Sequence, residues 1–198
     1  MTKGERRSQE IFAAAARLFA QRGYSRTSIR DLAEELGMQK SSLYHYFESK
    51  EDLLHRLLDD IMEQALPIIE ELCSRSMPPL EKLAAFMRFY THVYAGDRDR
   101  LILLVNELDC LPPERREQVV TKQRRYVAAI RGILAELKQA GLLKDLPLSV
   151  LVFIFFAMVH YTPKWYDPAG PVSPDELGHI LEQVFCQGIL APGVSVGD

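Results

Sequence analysis

Apolar residues recur along the chain at three- and four-residue spacing, and no segment alternates apolar and polar positions for long. Ile11, Phe12, Ala15, Leu18 and Phe19 make one face of a predicted first helix. Gly23 follows where a helix end favours a residue at positive φ. Ser28 and Asp31 form an S-x-x-D start, a capping box with Asp in place of Glu. The short helix behind it turns Ile29, Leu32, Ala33 and Leu36 inward and stops at Gly37. Another short helix is predicted from Lys40 to about Phe47. Ser49 and Asp52 repeat the capping pattern ahead of a longer helix striped by Leu53, Leu54, Leu57, Leu58 and Ile61.

Beyond Met77-Pro78-Pro79 the periodic segments lengthen. Leu83, Phe86, Met87, Tyr90 and Val93 form a stripe ending near Gly96, and a short helix spans Leu101 to Leu108 before Pro112-Pro113. A long helix is predicted over Glu114–Ala140, with Val119, Gln123, Val127, Ile130, Leu134 and Leu137 on one face and Gly141 at its end. After Pro147 comes the apolar stretch Leu148–Val159, broken only by Ser149, then the loop TPKWYDPAGPVSP. A last helix from about Asp175 shows Leu177, Ile180, Leu181, Val184 and Phe185. The expected fold is all-α with about nine helices: three short ones in a head, six in a body.

The head poses a chemical question. Tyr44, His45, Tyr46 and Phe47 are consecutive, and a helix buries one face only, so some of these rings point outward. Two short helices around a turn at Gly37, over about residues 28–47, make a helix-turn-helix. Its second helix would enter the DNA major groove, tip first. Gln39, Lys40, Ser41 and Ser42 put an amide, an ammonium and two hydroxyls at that tip. Leu43 and Phe47 would face the core, leaving Tyr44, His45 and Tyr46 for sugars, phosphates and thymine methyls. Lys50 in the next first turn suits a phosphate, and Lys3, Arg6 and Arg7 add positive charge at the chain's front. The competing reading is a three-helix packing module; three rings beyond Leu43 and Phe47 weigh against it.

Composition bounds the rest. In 198 residues, 47% apolar and 26% charged, there is room for one or two ordinary globular domains. Residues 1–50 carry nine Lys and Arg against six Asp and Glu, a net +3; the others carry fifteen against twenty-one, a net −6. A mildly basic head on an acidic body suggests two different partners. The longest apolar stretch is shorter than the roughly 18–20 residues of a membrane span, so no membrane is expected. The charged start MTKGERRSQE leads into no long apolar region, and Cys73, Cys110 and Cys186 are odd in number and widely spaced. These features favour reduced thiols in a cytoplasmic protein. No Gly-rich phosphate loop, G-x-S-x-G elbow or metal-ligand spacing occurs, so an enzyme, a cofactor and a metal are not expected.

The segment AAARLFAQRGYSRTSIRDLAEELGMQKSSLYHYFESKEDLL resembles the DNA-binding head of the tetracycline-repressor (TetR) family, densely and without gaps. The resemblance implies a head over residues 5–51, a ligand-binding and dimerisation body over 52–198, and a homodimer on a double-stranded operator. By position, it implies that Arg30 and the Gln39–Tyr46 helix read bases while Thr27, Ser28, Tyr44, His45 and Lys50 hold the backbone.

The stretch WYDPAGPVSPDELGHILEQVFCQGI, Trp165–Ile189, is similar to the end of TetR regulators that sense acyl-CoA thioesters of fatty-acid or sterol breakdown. That implies a small hydrophobic effector, an acyl-CoA, with its chain among Phe86, Tyr90, Phe155 and Val159. Its nucleotide end would lie near Lys164, Trp165 and Tyr166. The body's rings, Phe86, Phe89, Tyr90, Tyr94, Phe153, Phe155, Phe156 and Trp165, are equally compatible with a plain core, as are His92 and His160. The expected function is a ligand-responsive repressor. The alternative is a helical ligand-binding or scaffold protein whose head makes protein contacts.

Overall fold

The structure is a computed structural model. It describes residues 2–167 and 169–193, with 91–96 as backbone alone, so the expected positions of His92, Val93 and Tyr94 lie outside the described side chains. The described residues form nine α-helices and no strand: α1 Lys3–Arg22, α2 Ile29–Glu35, α3 Lys40–Leu43, α4 Lys50–Ser74, α5 Pro79–Gly96, α6 Arg98–Asn106, α7 Pro113–Gln139, α8 Leu148–Trp165 and α9 Pro174–Ile189. A 3-10 turn, Leu108–Cys110, joins α6 to α7. The chain divides into two compact units, Met1–Gln64 with Asp99–Thr121, and Ala65–Arg98 with Lys122–Asp198. Helices α4 and α7 each contribute residues to both.

In the first unit, local chemistry sets the helix ends. Thr2 and Glu5 close a reciprocal capping box on α1, and Ser28 and Asp31 close another on α2. These bonds satisfy amides that the first turn of a helix leaves without partners. The same Ser28 bonds hold the Asp31 carboxyl below the usual carboxylate range. Gly23 and Gly37 have φ of 86° and 61°, a region that side chains with a Cβ rarely adopt. Ile11, Phe19, Leu32, Leu43, Phe47, Leu53 and Leu54 are buried together as the head's core.

One predicted element is shorter than expected. The second helix of the helix-turn-helix is Lys40–Leu43, followed by a turn, where the sequence pattern runs it on to about Phe47. His45 and Tyr46 donate to Ser42 and Leu43, three residues back rather than four. Such bonds tighten and end a helix.

In the second unit α9 packs along α5 and against α8. Phe86, Tyr90, Tyr126, Phe155, Phe156 and Phe185 form a continuous set of tilted and edge-to-face rings. Full burial of such a side chain stabilises by about 1.5–3 kcal/mol. Tyr126 replaces Val127 and Gln123 on the inward face of α7, since the latter two are only half-buried. Buried charge is paired: Lys82 Nζ lies 3.0 Å from Glu136, and Glu182 lies 3.5 Å from Arg88. A two-residue antiparallel bridge, Leu143 to Leu190, ties the loop after α7 to the end of α9. Helix α8 has 18 residues and a mean hydropathy of 1.4, so by length and composition it could cross a membrane. Leu151, Val152, Phe155, Phe156 and Val159 place one side of it in the ring cluster.

Candidate nucleic-acid interface

The head presents its polar tip to solvent. Gln39, Lys40, Ser41, Tyr44 and His45 are exposed, and Ser42 and Tyr46 are half-buried. Leu43 and Phe47 point inward, at 0% and 3% exposure. The outward rings are therefore Tyr44 and His45, with Tyr46 at the edge. Lys40 Nζ lies 5.9 Å from the centre of the Tyr44 ring, and Tyr44 leans on Phe47, so cation and ring share one surface.

The flanking residues divide into two kinds. Arg30 is exposed and bonded to Glu34 one turn on, an exchangeable surface pair. Thr27 is 1% exposed and its hydroxyl donates to the Gly23 carbonyl at 2.9 Å, so it fixes the turn before α2. Ser28 is exposed but engaged in the cap of α2. Lys50 is half-buried, its ammonium 4.0 Å from the Tyr24 ring centre, and burial pushes its pKa down.

Beside this surface lies an open cleft of about 860 Å³, lined by Lys3, Gly4, Arg6, Arg7, Glu10 and Tyr46. Arg7 reaches from α1 to the Leu36 carbonyl at the end of α2 and also pairs with Glu10. Lys3 and Arg6 remain exposed on its rim. Three cations against one carboxylate make this a place for a polyanion's backbone.

Arg56 is a residue the sequence reading passed over. Its guanidinium donates to the Tyr46 carbonyl at 2.5 Å and lies 4.6 Å from the Phe12 ring centre. It thereby ties the exit of α3 to α4 and α1. Its sequence signal was faint: a charge one turn past a capping Asp.

In the second unit the structure brings Phe86, Tyr90, Phe155 and Val159 together, all at 4% exposure or less. The rings of Phe86, Tyr90 and Phe155 pack against one another. His160 packs at a tilt against Phe156 and Tyr90, and burial pushes its pKa down to about 4. Lys164 and Trp165 are exposed at the end of α8, whereas Tyr166 is buried with its hydroxyl donating to Val172. The apolar cluster and the Lys164–Trp165 pair are thus presented differently, one inside and one on the surface.

Comparison with known proteins agrees with this architecture. Residues 11–57 match the bacterial regulatory proteins of the tetR family, and residues 76–189 match the tetracyclin repressor-like C-terminal domain. The HTH-type transcriptional repressor KstR2 of Mycolicibacterium smegmatis is 26% identical over 187 residues, 92% of this chain and 90% of that protein. A TetR-family transcriptional regulator from Bordetella parapertussis superposes with a TM-score of 0.83 at 34% identity, covering 90% of this chain and 93% of that one. AibR, crystallised with isovaleryl coenzyme A and operator DNA, superposes with a TM-score of 0.79 at 27% identity, covering 90% and 97%. Head and body both match, and the chain belongs to the TetR family of bacterial transcriptional regulators.

Proposed function

We propose that the protein is a cytoplasmic transcriptional repressor that binds its operator as a homodimer and leaves it when an acyl-CoA thioester enters the body. The observation that carries the DNA half is the exposed polar tip of α3, with Gln39, Lys40, Ser41, Tyr44 and His45 beside the basic cleft at Lys3 and Arg6. In this reading Gln39 to Tyr46 and Arg30 read base edges, and Tyr44, His45 and Lys50 hold phosphates. Thr27 and Ser28 contribute by fixing the turn and cap that aim α2 and α3.

The effector half is supported by AibR, whose complex holds isovaleryl coenzyme A, and by the ring cluster of α5 and α8. Phe86, Tyr90 and Phe155 pack ring against ring, so an acyl chain entering among them would part the rings. A ligand that opens this cluster binds a different arrangement from the one described, which is what coupling to DNA requires. The homodimer is supported by the outer side of α8 and α9. Val150, Phe153, Ile154 and Tyr161 on α8, and Ile180 and Val184 on α9, are all at least 42% exposed. A second copy covering the same face isologously would match paired half-sites in an operator.

The test is binding to genomic fragments at several salt concentrations, followed by release with acyl-CoA thioesters of graded chain length beside free fatty acids. Sequence-specific binding that weakens with salt, and release by a thioester but not by the free acid, is the expected result. Absence of DNA binding at low salt would favour a scaffold role for the head. Specific binding that no thioester relieves would reject the CoA reading while leaving the repressor intact.

A further inference from the structure

Asp52 sits at a junction between the recognition helix and a segment distant in sequence. Its carboxylate is 14% exposed, and Oδ1 accepts from Arg115 Nη1 at 3.0 Å, a residue at the start of α7. Oδ2 accepts from the Glu48 backbone N–H at 3.1 Å, in the link between α3 and α4. Arg56 Nη1 stands 4.0 Å from the same Oδ2, yet bonds the Tyr46 carbonyl at 2.5 Å. Arg56 therefore has two acceptors within reach and is committed to one. With Arg115 bonded to Oδ1, the carboxylate already has a cationic partner, and Arg56 is left to hold the end of α3.

We propose that Arg115 is a positioning residue for DNA binding: through Asp52 it keeps Arg56 on the Tyr46 carbonyl and so sets the aim of the recognition helix. The proposal rests on the DNA-binding reading of the head. A second contact from the same segment points the same way, since Glu107 accepts from the Tyr24 backbone N–H at 3.3 Å, beneath the ring that carries Lys50. Both links come from Asp99–Thr121, which belongs to the head's compact unit although it follows the head by some distance in the chain. Without Arg115, Asp52 draws Arg56 toward itself, and the Tyr46 carbonyl loses its donor. The recognition helix is one turn long, so it has few bonds of its own to resist that shift.

The experiment compares wild type, Arg115→Ala, Arg115→Lys, Arg56→Ala and the double Ala variant, all as full chains. Two measurements are made: affinity for an operator fragment against salt, and amide hydrogen exchange of residues 44–48 without DNA. Arg115→Ala should weaken DNA binding about tenfold, the scale of one lost hydrogen bond to a charged group. Its salt slope should be unchanged, Arg115→Lys should recover part of the loss, and residues 44–48 should exchange faster. The double variant should be little worse than Arg56→Ala, because the two arginines act in series. A slope reduced by about one unit with unaltered exchange would make Arg115 a direct phosphate contact and overturn the proposal. Unchanged affinity and exchange would reduce the pair to a surface ion bridge. If wild type binds no DNA, the reading of the head fails, and the exchange measurement still decides whether Arg115 braces α3.

Discussion

Lys50 Nζ stands 4.0 Å from the centre of the Tyr24 ring, close enough for the ring face to hold the ammonium in place. Burial pushes the Tyr24 hydroxyl up to about 12, with Glu51, Cys110 and Glu107 adding to the effect. The ring therefore stays neutral across the working pH range, and its face remains a partner for the cation. A lysine so aimed loses less freedom on meeting a phosphate than one on an open surface.

Lys50→Ala should weaken binding to all DNA sequences about equally and flatten the salt slope by about one unit. Tyr24→Leu should leave the slope unchanged and cost less, since the charge stays while its aim is lost. Isotherms at four salt concentrations check both. Wild-type affinity in Lys50→Ala would move the phosphate contact elsewhere.

Tyr44 is 44% exposed on the recognition surface, and its ring meets both Lys40 and Phe47. Tyr44→Ala should cost more affinity than Lys50→Ala, because ring contact is lost along with a hydroxyl and Lys40 loses its support. Tyr44→Phe should recover most of the loss if the ring dominates. Recovery by Phe of none of it would assign the contact to the hydroxyl.

Subunit contact is tested on α9. Val184 is 60% exposed and Leu181 is 9% exposed, so the two residues report on different events. Val184→Glu should give folded monomers with weak operator affinity. Leu181→Glu should unfold the protomer by burying a charge in its core. Sedimentation with circular dichroism separates these outcomes, and an intact Val184→Glu dimer would relocate the interface.

His160 gives the body a pH dependence. Its folded pKa, about 4, lies below the 6.5 of an unperturbed histidine. Between these values the unfolded chain takes the proton and the folded chain does not, so stability is full above pH 6.5 and falls toward pH 4. The loss is about 3 kcal/mol for a shift of this size. His160→Phe keeps a ring against Phe156 and should flatten the urea midpoint between pH 6.5 and 4. Identical pH profiles would place the effect on other groups.

Trp165 is 57% exposed beside Lys164, where an indole can stack on adenine and an ammonium can meet phosphate. Trp165→Ala should keep operator affinity while raising the acyl-CoA concentration needed for half-release by about tenfold, the scale of one lost stacked base. Lys164→Ala should do the same more weakly, and more so at low salt. Unchanged release in both would put the nucleotide end elsewhere. DNA and ligand should weaken each other by one common factor.

Much of the head was legible in the sequence because its signals are local. The Ser28–Asp31 cap, the positive-φ glycines at 23 and 37, and the spacing of Leu32, Leu43 and Phe47 each act within a few residues. The family motif lies in that same stretch. The body's helices and their order were also legible, with Gly96, Gly141 and Pro147 at boundaries, but α8 runs on to Trp165 with Pro163 inside it, where a loop from Thr162 was expected.

Other features were decided by the tertiary structure alone. Helical spacing gives a face but not its neighbour, and a step of one residue turns a side chain by about 100°. So Tyr126 rather than Val127 joins the ring cluster of the second unit, and Ile180 and Val184 face outward while Leu177, Leu181 and Phe185 face inward. Helix α3 stops at Leu43, where the Ser42 and Leu43 carbonyls find partners three residues on, and the Tyr46 carbonyl beyond it is held by Arg56 from another helix. Asp52 looked like a simple cap; only the folded chain brings Arg115 to it, 63 residues away. A partner that far along the chain leaves no periodic trace, because its position is set by packing.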